Sequence, residues 1–76
     1  MTSIDAARTR ARGAAALIRV ELPQVQTVVH VDERVVVLSV FAAGAEPLRT
    51  VVPQDLAPED LAEAMLVWLR PLFAAN

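Results

Sequence analysis

An α+β domain of order α-β-β-β-α, a three-stranded antiparallel meander with two helices packed on one face, follows from how apolar residues are spaced along this chain. The stretch Arg34-Val-Val-Val-Leu-Ser-Val-Phe-Ala42 is apolar at seven of nine positions and holds no strand breaker. Its two alternating sets, Val35, Val37, Ser39 and Phe41 on one side and Val36, Leu38 and Val40 on the other, are both unsuited to water, so it reads as a strand covered on both faces. Segments with helical period lie before it and at the end of the sequence. No repeat or linker divides residues 1–76, which form one small domain.

The first helix begins at Thr2 or Ser3, either of which can cap it, with Asp5 in the first turn where the helix dipole favours an acid. It runs to about Arg19. Ile4, Ala7, Ala11, Ala14, Ile18 and Leu22 share one narrow face made mostly of alanine, which lets a sheet or helix approach closely. Gly13 weakens the helix or marks such a close contact. Leu22-Pro23 ends the segment. Gln24 to Val31 is the first strand, with Val25, Thr27, Val29 and Val31 on one face and the more polar Gln26, Val28, His30 and Asp32 on the other. Asp32-Glu33 has the spacing of a tight hairpin but not its favoured glycine or asparagine, so a longer loop that takes in Arg34 is an equal alternative. After the central strand, a loop with Gly44 leads to a short strand, Leu48 to Val52, closed by Pro53. Gln54 to Ala57 is a connection. Pro58 opens the last helix, with Glu59 and Asp60 in its first turn. Leu61, Met65, Trp68 and Leu72 form one stripe of it, and Ala62, Leu66, Leu69 and Phe73 a second. Pro71 bends or ends it near Arg70, and the last three residues are expected to fray.

A chain this short is marginally stable alone and is usually rescued by disulfides, metal or oligomerisation. It has no cysteine, which excludes disulfides and thiolate metal sites, and its one histidine speaks against a structural zinc site, so oligomerisation is the rescue that remains. The apolar fraction of 55% is high for so small a domain. A homodimer is the first expectation, since two-fold contacts are the commonest. The candidate interface is Val36, Leu38 and Val40 of the central strand with Leu66, Leu69 and Phe73 of the last helix. If the odd face points outward instead, Val35, Val37 and Phe41 take that role. No apolar run approaches the roughly 18–20 residues of a membrane span. Early charges (Asp5, Arg8, Arg10, Arg12) break up any signal-peptide core, so a cytoplasmic location is expected.

The net charge of −2 gives no global signature for nucleic acid. All seven basic residues are arginine, and Arg8, Arg10 and Arg12 cluster in the first helix, with Arg8, Arg12 and Arg19 close together on its surface. These are possible phosphate contacts, against the plainer reading of a solvated face paired with Asp5 and Glu21. His30 with Asp32 and Glu33 is the one cluster with catalytic or metal-binding residue types. It lacks a third ligand type and a marked nucleophile. Ser39 has no base near it in sequence and reads as a small residue that accommodates a neighbour. There is no glycine-rich phosphate loop, and no cofactor is expected.

The stretch Val37-Leu-Ser-Val-Phe-Ala-Ala-Gly44, then Leu48-Arg-Thr-Val-Val-Pro-Gln-Asp-Leu56, then Pro58-Glu-Asp-Leu61 resembles the YbaB/EbfC nucleoid-associated family in element order, strand-glycine-strand spacing and the acidic entry to the last helix. The resemblance covers about half of the chain. It implies a helix, a three-stranded antiparallel sheet and a final helix in an acidic, dimeric, DNA-binding protein. The long charged first helix and the basic segments of that family have no counterpart here. The same element order is similar to the core of secretion-chaperone-like folds, which dimerise and hold partner segments. From the residues, the preferred expectation is a non-enzymatic oligomeric interaction or adaptor protein that takes up a protein segment. The alternatives are a DNA-associated homodimer and a small enzyme whose site is shared between subunits around His30 and Asp32.

Overall fold

A computed structural model describes residues 3–53 and 55–73. The elements follow in the order α1 (Ser3–Glu21), β1 (Gln26–Asp32), β2 (Val35–Phe41), β3 (Leu48–Val51) and α2 (Pro58–Phe73). The three strands form one antiparallel sheet in the order β1-β2-β3, with β2 in the middle. The α+β fold expected from the sequence is the one observed. Thr2, Gln54 and the three C-terminal residues, to which the sequence assigned a cap, part of a connection and fraying, lie outside the described residues.

Alanine at most inward positions of α1 is what seats this helix on the sheet. Ala7, Ala11, Ala14, Ala15 and Ile18 are buried in the core with Val36, Leu38 and Val40 of β2, and Ile4 packs against its edge. Small side chains let the helix axis come close to β1 and β2, on which α1 lies. The helix continues two residues past Arg19, to Glu21. Pro23 restricts only the residue before it, and the Leu22 N–H still donates to the Ile18 carbonyl at 2.8 Å. The chain then reverses through Pro23-Gln24, with Val25 N–H donating to the Leu22 carbonyl at 3.2 Å, a turn with proline at its second position.

The β1–β2 connection is the tight alternative: Asp32 pairs with Val35, leaving Glu33-Arg34 as a two-residue loop. Glu33 carries the cost, with φ +57°, where a side chain meets the backbone and glycine is preferred. The turn fixes the register, and the register fixes the faces. Thr27, Val29 and Val31 stand beside Val40, Leu38 and Val36, and these in turn beside Leu48, Thr50 and Val52. That side faces the helices.

The interface expected from the even residues of β2 is therefore corrected. Val36, Leu38 and Val40 are at most 2% exposed, covered by the chain's own helices, and Leu66 and Leu69 are buried with them. Phe73 packs against the same core and is half-buried. None of the six is a free surface in the single chain, because the helix layer lies on this side of the sheet. The odd set points outward, as the alternative reading had it.

The last helix lies against α1, and its backbone stays farther from the sheet than that of α1. Gly13 marks a close contact between them: a Cβ there would meet the Pro58 Cβ at 3.2 Å. Helix α2 does not stop at Arg70. It passes through Pro71 to Phe73. A proline this near the end removes one backbone bond and has a φ suited to helix. At the far end Arg70 joins the two helices. Its Nε donates to Glu21 Oε2 at 2.6 Å and its Nη1 to Glu63 Oε2 at 2.7 Å, with Nη2 reaching the second oxygen of each. These bonds hold both glutamates below the usual carboxylate range and push the guanidinium up.

Candidate interaction surfaces

Among the described residues no helix lies on the outer face of the sheet. On it stand Gln26, Val28, His30 and Asp32 of β1, Val35, Val37, Ser39 and Phe41 of β2, and Arg49 and Val51 of β3. Val28, Val35 and Val51 are exposed, and Val37 and Phe41 are half-covered by their neighbours. Together they make an apolar strip along the middle strand. The polar Gln26, His30, Asp32 and Arg49 stand around it, the arrangement of apolar centre and polar rim common to protein interfaces. Ser39 is 2% exposed although it faces outward. The longer Val28 and Arg49 stand directly opposite it on the two neighbouring strands, so the small residue sits beneath larger ones, as the sequence suggested.

A second surface opens between β3 and α2. It is a groove of about 350 Å³ lined by Leu48, Arg49, Thr50, Pro53, Leu56, Leu61, Ala64, Met65 and Trp68. Trp68 is 71% exposed and Leu72 is 50% exposed, while Leu61 and Met65 in the same helical stripe are buried. The stripe thus starts in the core and runs out over solvent. Helical spacing alone marks Trp68 as a core or interface residue. What it omits is how far the sheet reaches beneath.

The three N-terminal arginines are not one cluster. Arg10 leaves on the flank of α1 that faces the chain after β3, where its Nη2 donates to the Pro53 carbonyl at 3.0 Å. Its Nε is buried with no hydrogen-bond partner among the described residues. Arg8 and Arg12 fall on the opposite flank with Arg19, about 160–200° away around the helix from Arg10. Among the described residues none of these three has an ion-pair partner. Glu21, which the sequence offered as a partner for this row, is held by Arg70 instead. His30 and Asp32 are exposed on the outer face of β1, and His30 stands opposite Val37. Among the described residues no three acidic or histidine side chains gather as a metal site.

The face of β2 that points outward was within reach of the sequence. A two-residue turn pairs Asp32 with Val35, and this puts the polar face of β1 and the odd set of β2 on the same side. Comparison with protein-family models, with curated proteins and with solved structures finds no match. Among the described residues no helix is long and apolar enough to cross a membrane.

Proposed function

We propose that the protein is a small non-enzymatic interaction module that works as a homodimer, with the outer sheet faces of two copies packed on each other. The observation that carries this reading is the strip of Val28, Val35, Val37, Phe41 and Val51, apolar in the middle and polar at its margin. A second copy is the occupant that matches such a face, because a two-fold contact sets the same apolar strip against itself, and stacked sheets about 10 Å apart interdigitate these side chains.

Sedimentation equilibrium tests the reading. The native chain is expected at twice 8.2 kDa. The double variant Val35→Asp, Val51→Asp changes two exposed positions and should sediment as a folded monomer with an unchanged circular dichroism spectrum. A native chain that stays at the monomer mass up to millimolar concentration would overturn the dimer.

A second reading, a DNA-associated dimer, draws on the row Arg8, Arg12 and Arg19, which has no ion-pair partner among the described residues. The dimer repeats that row, and binding through it would weaken steeply with salt. Arg10, tied to Pro53, takes no part in it. Unaltered mobility of duplex DNA at low salt with excess protein would remove this reading.

A further inference from the structure

The helix layer of this protein is wider than its sheet. Neighbouring strands lie about 4.8 Å apart and packed helices about 8–10 Å apart, so one helix spacing covers about two strand spacings. Helix α1 rests on β1 and β2. Displaced from it by one helix spacing on the β3 side, α2 forms with β3 the two walls of the groove, and by these spacings it reaches past the edge strand. Trp68 at the groove and Leu72 one turn further on are exposed, while Leu61 and Met65 of the same stripe are buried.

The strand at this edge is ready to be paired. Val52 N–H donates to the Val36 carbonyl at 2.8 Å. Antiparallel alternation then turns the N–H and C=O of Thr50 toward β2 and those of Arg49 and Val51 outward. Among the described residues no backbone group bonds the outward amides of Arg49 and Val51. At this edge Thr50 Oγ1 donates to the Val51 carbonyl at 3.3 Å, and just beyond it Arg10 Nη2 donates to the Pro53 carbonyl.

We infer that the groove between β3 and α2 takes up an extended segment of another protein, which pairs with β3 as a fourth strand, sets alternate apolar side chains against Leu48, Ala64 and Trp68, and places an acidic residue beside Arg49. Charge complementarity argues for the acid. Arg49 stands at the groove on the outer side of β3 and has no ion-pair partner among the described residues, and opposite charges on neighbouring strands attract. Geometry argues for a single strand rather than a second copy. Two copies joined through β3 about a two-fold axis normal to the sheet would each bring an overhanging α2 to the same seam, so the helices would compete for one lane. A lone strand completes four strands beneath two helices, and main-chain pairing supplies affinity while the groove selects side chains. The site shares Arg49 and the β3 edge with the outer face, but Trp68 lies on the helix side of the sheet, away from that face, so its emission reads the groove alone and keeps failure of this inference distinguishable from failure of the dimer.

The probe is a capped nine-residue synthetic peptide with valine at alternate positions, threonine between them and one glutamate in the threonine set. A matched peptide carries lysine in place of glutamate. Trp68 is the sole tryptophan and reports on its own cover. Titration of the full chain with the glutamate peptide should move its emission to the blue, with binding about tenfold tighter than for the lysine peptide. Arg49→Glu should reverse that order. Val51→Pro removes an outward N–H at an edge position where proline is tolerated and should abolish binding. Trp68→Glu, at an exposed position, should weaken binding read by calorimetry and serves as the second variant if Val51→Pro does not fold. No emission change with either peptide, equal affinity for both, or unchanged binding by a folded Val51→Pro would overturn the inference. Emission that is already blue without peptide and shifts on dilution would mean that a second copy fills the groove, and would also overturn it.

Discussion

The two faces of β2 are made from neighbouring residues of one seven-residue strand and differ in what covers them. Val36, Leu38 and Val40 lie under α1 and are closed off from water, whereas Val35, Val37 and Phe41 stand on a side with no helix among the described residues. Composition does not separate the two sets, since both are valine-rich with one larger residue. What separates them is β1. Its turn residues set the register, and its polar side, Gln26, His30 and Asp32, goes with the odd set. A strand's apolar content therefore says that something covers each face. It takes the neighbouring strand to say which face the chain covers for itself.

The largest expected difference between the faces is in stability. Leu38→Ala removes a fully buried side chain from the centre of the core and should destabilise the chain by about 2–5 kcal/mol. At dilutions where the chain is monomeric, Val37→Ala, one residue away on the half-covered side, should cost less than about 1 kcal/mol. Urea denaturation of the two variants measures both. Equal losses at low concentration would mean that the faces do not differ as described.

A smaller effect of opposite sign belongs to the turn that sets the register. Glu33→Gly relieves a side chain held at φ +57°. Relief of about 1–2 kcal/mol is offset by the entropy glycine loses on folding, about 0.5–1 kcal/mol. A net gain of up to about 1.5 kcal/mol in the same urea experiment is expected. A loss would show that the side chain makes up for its backbone.

The smallest effect is on the helix-covered side, in the clasp of Arg70 with Glu21 and Glu63. Both carboxylates are lowered by their bonds to Arg70. Their contribution is therefore present above the unfolded-state range, about pH 4.3, and is lost as pH falls through the lowered folded-state values. All three side chains are at least 41% exposed, so solvent screens the pairs and the shift in the thermal midpoint should be slight. Arg70→Gln should remove the part of the acid-side slope that the clasp adds. An identical slope in the native chain and the variant would show that the clasp adds none.

Much of this architecture could be read from the sequence because local chemistry agreed with the fold. The alanine face of α1, the hairpin and the Pro58 entry to α2 each have a local cause, and Gly13 marked the close helix contact that Pro58 makes. The candidate surfaces were harder to read because they depend on distances between elements. Helical period grouped Trp68 with Leu61 and Met65, but the reach of the sheet beneath α2 is a matter of strand count and spacing. Arg10 looked like a member of a basic cluster by position in the chain, and a turn of the helix sends it to Pro53 instead. In both cases sequence spacing gives the angle around a helix and not the partner at that angle.

The proposed dimer contact is tested most directly by an isotope-filtered NOE spectrum of a sample mixed from labelled and unlabelled chains, which reads contacts between copies alone. Intermolecular NOEs at the methyl groups of Val28, Val35, Val37 and Val51 and the ring of Phe41, with none at Val36, Leu38 or Val40, are the predicted result. Intermolecular NOEs confined to Trp68 and Leu72, or to the Val36 and Leu38 methyl groups, would contradict it.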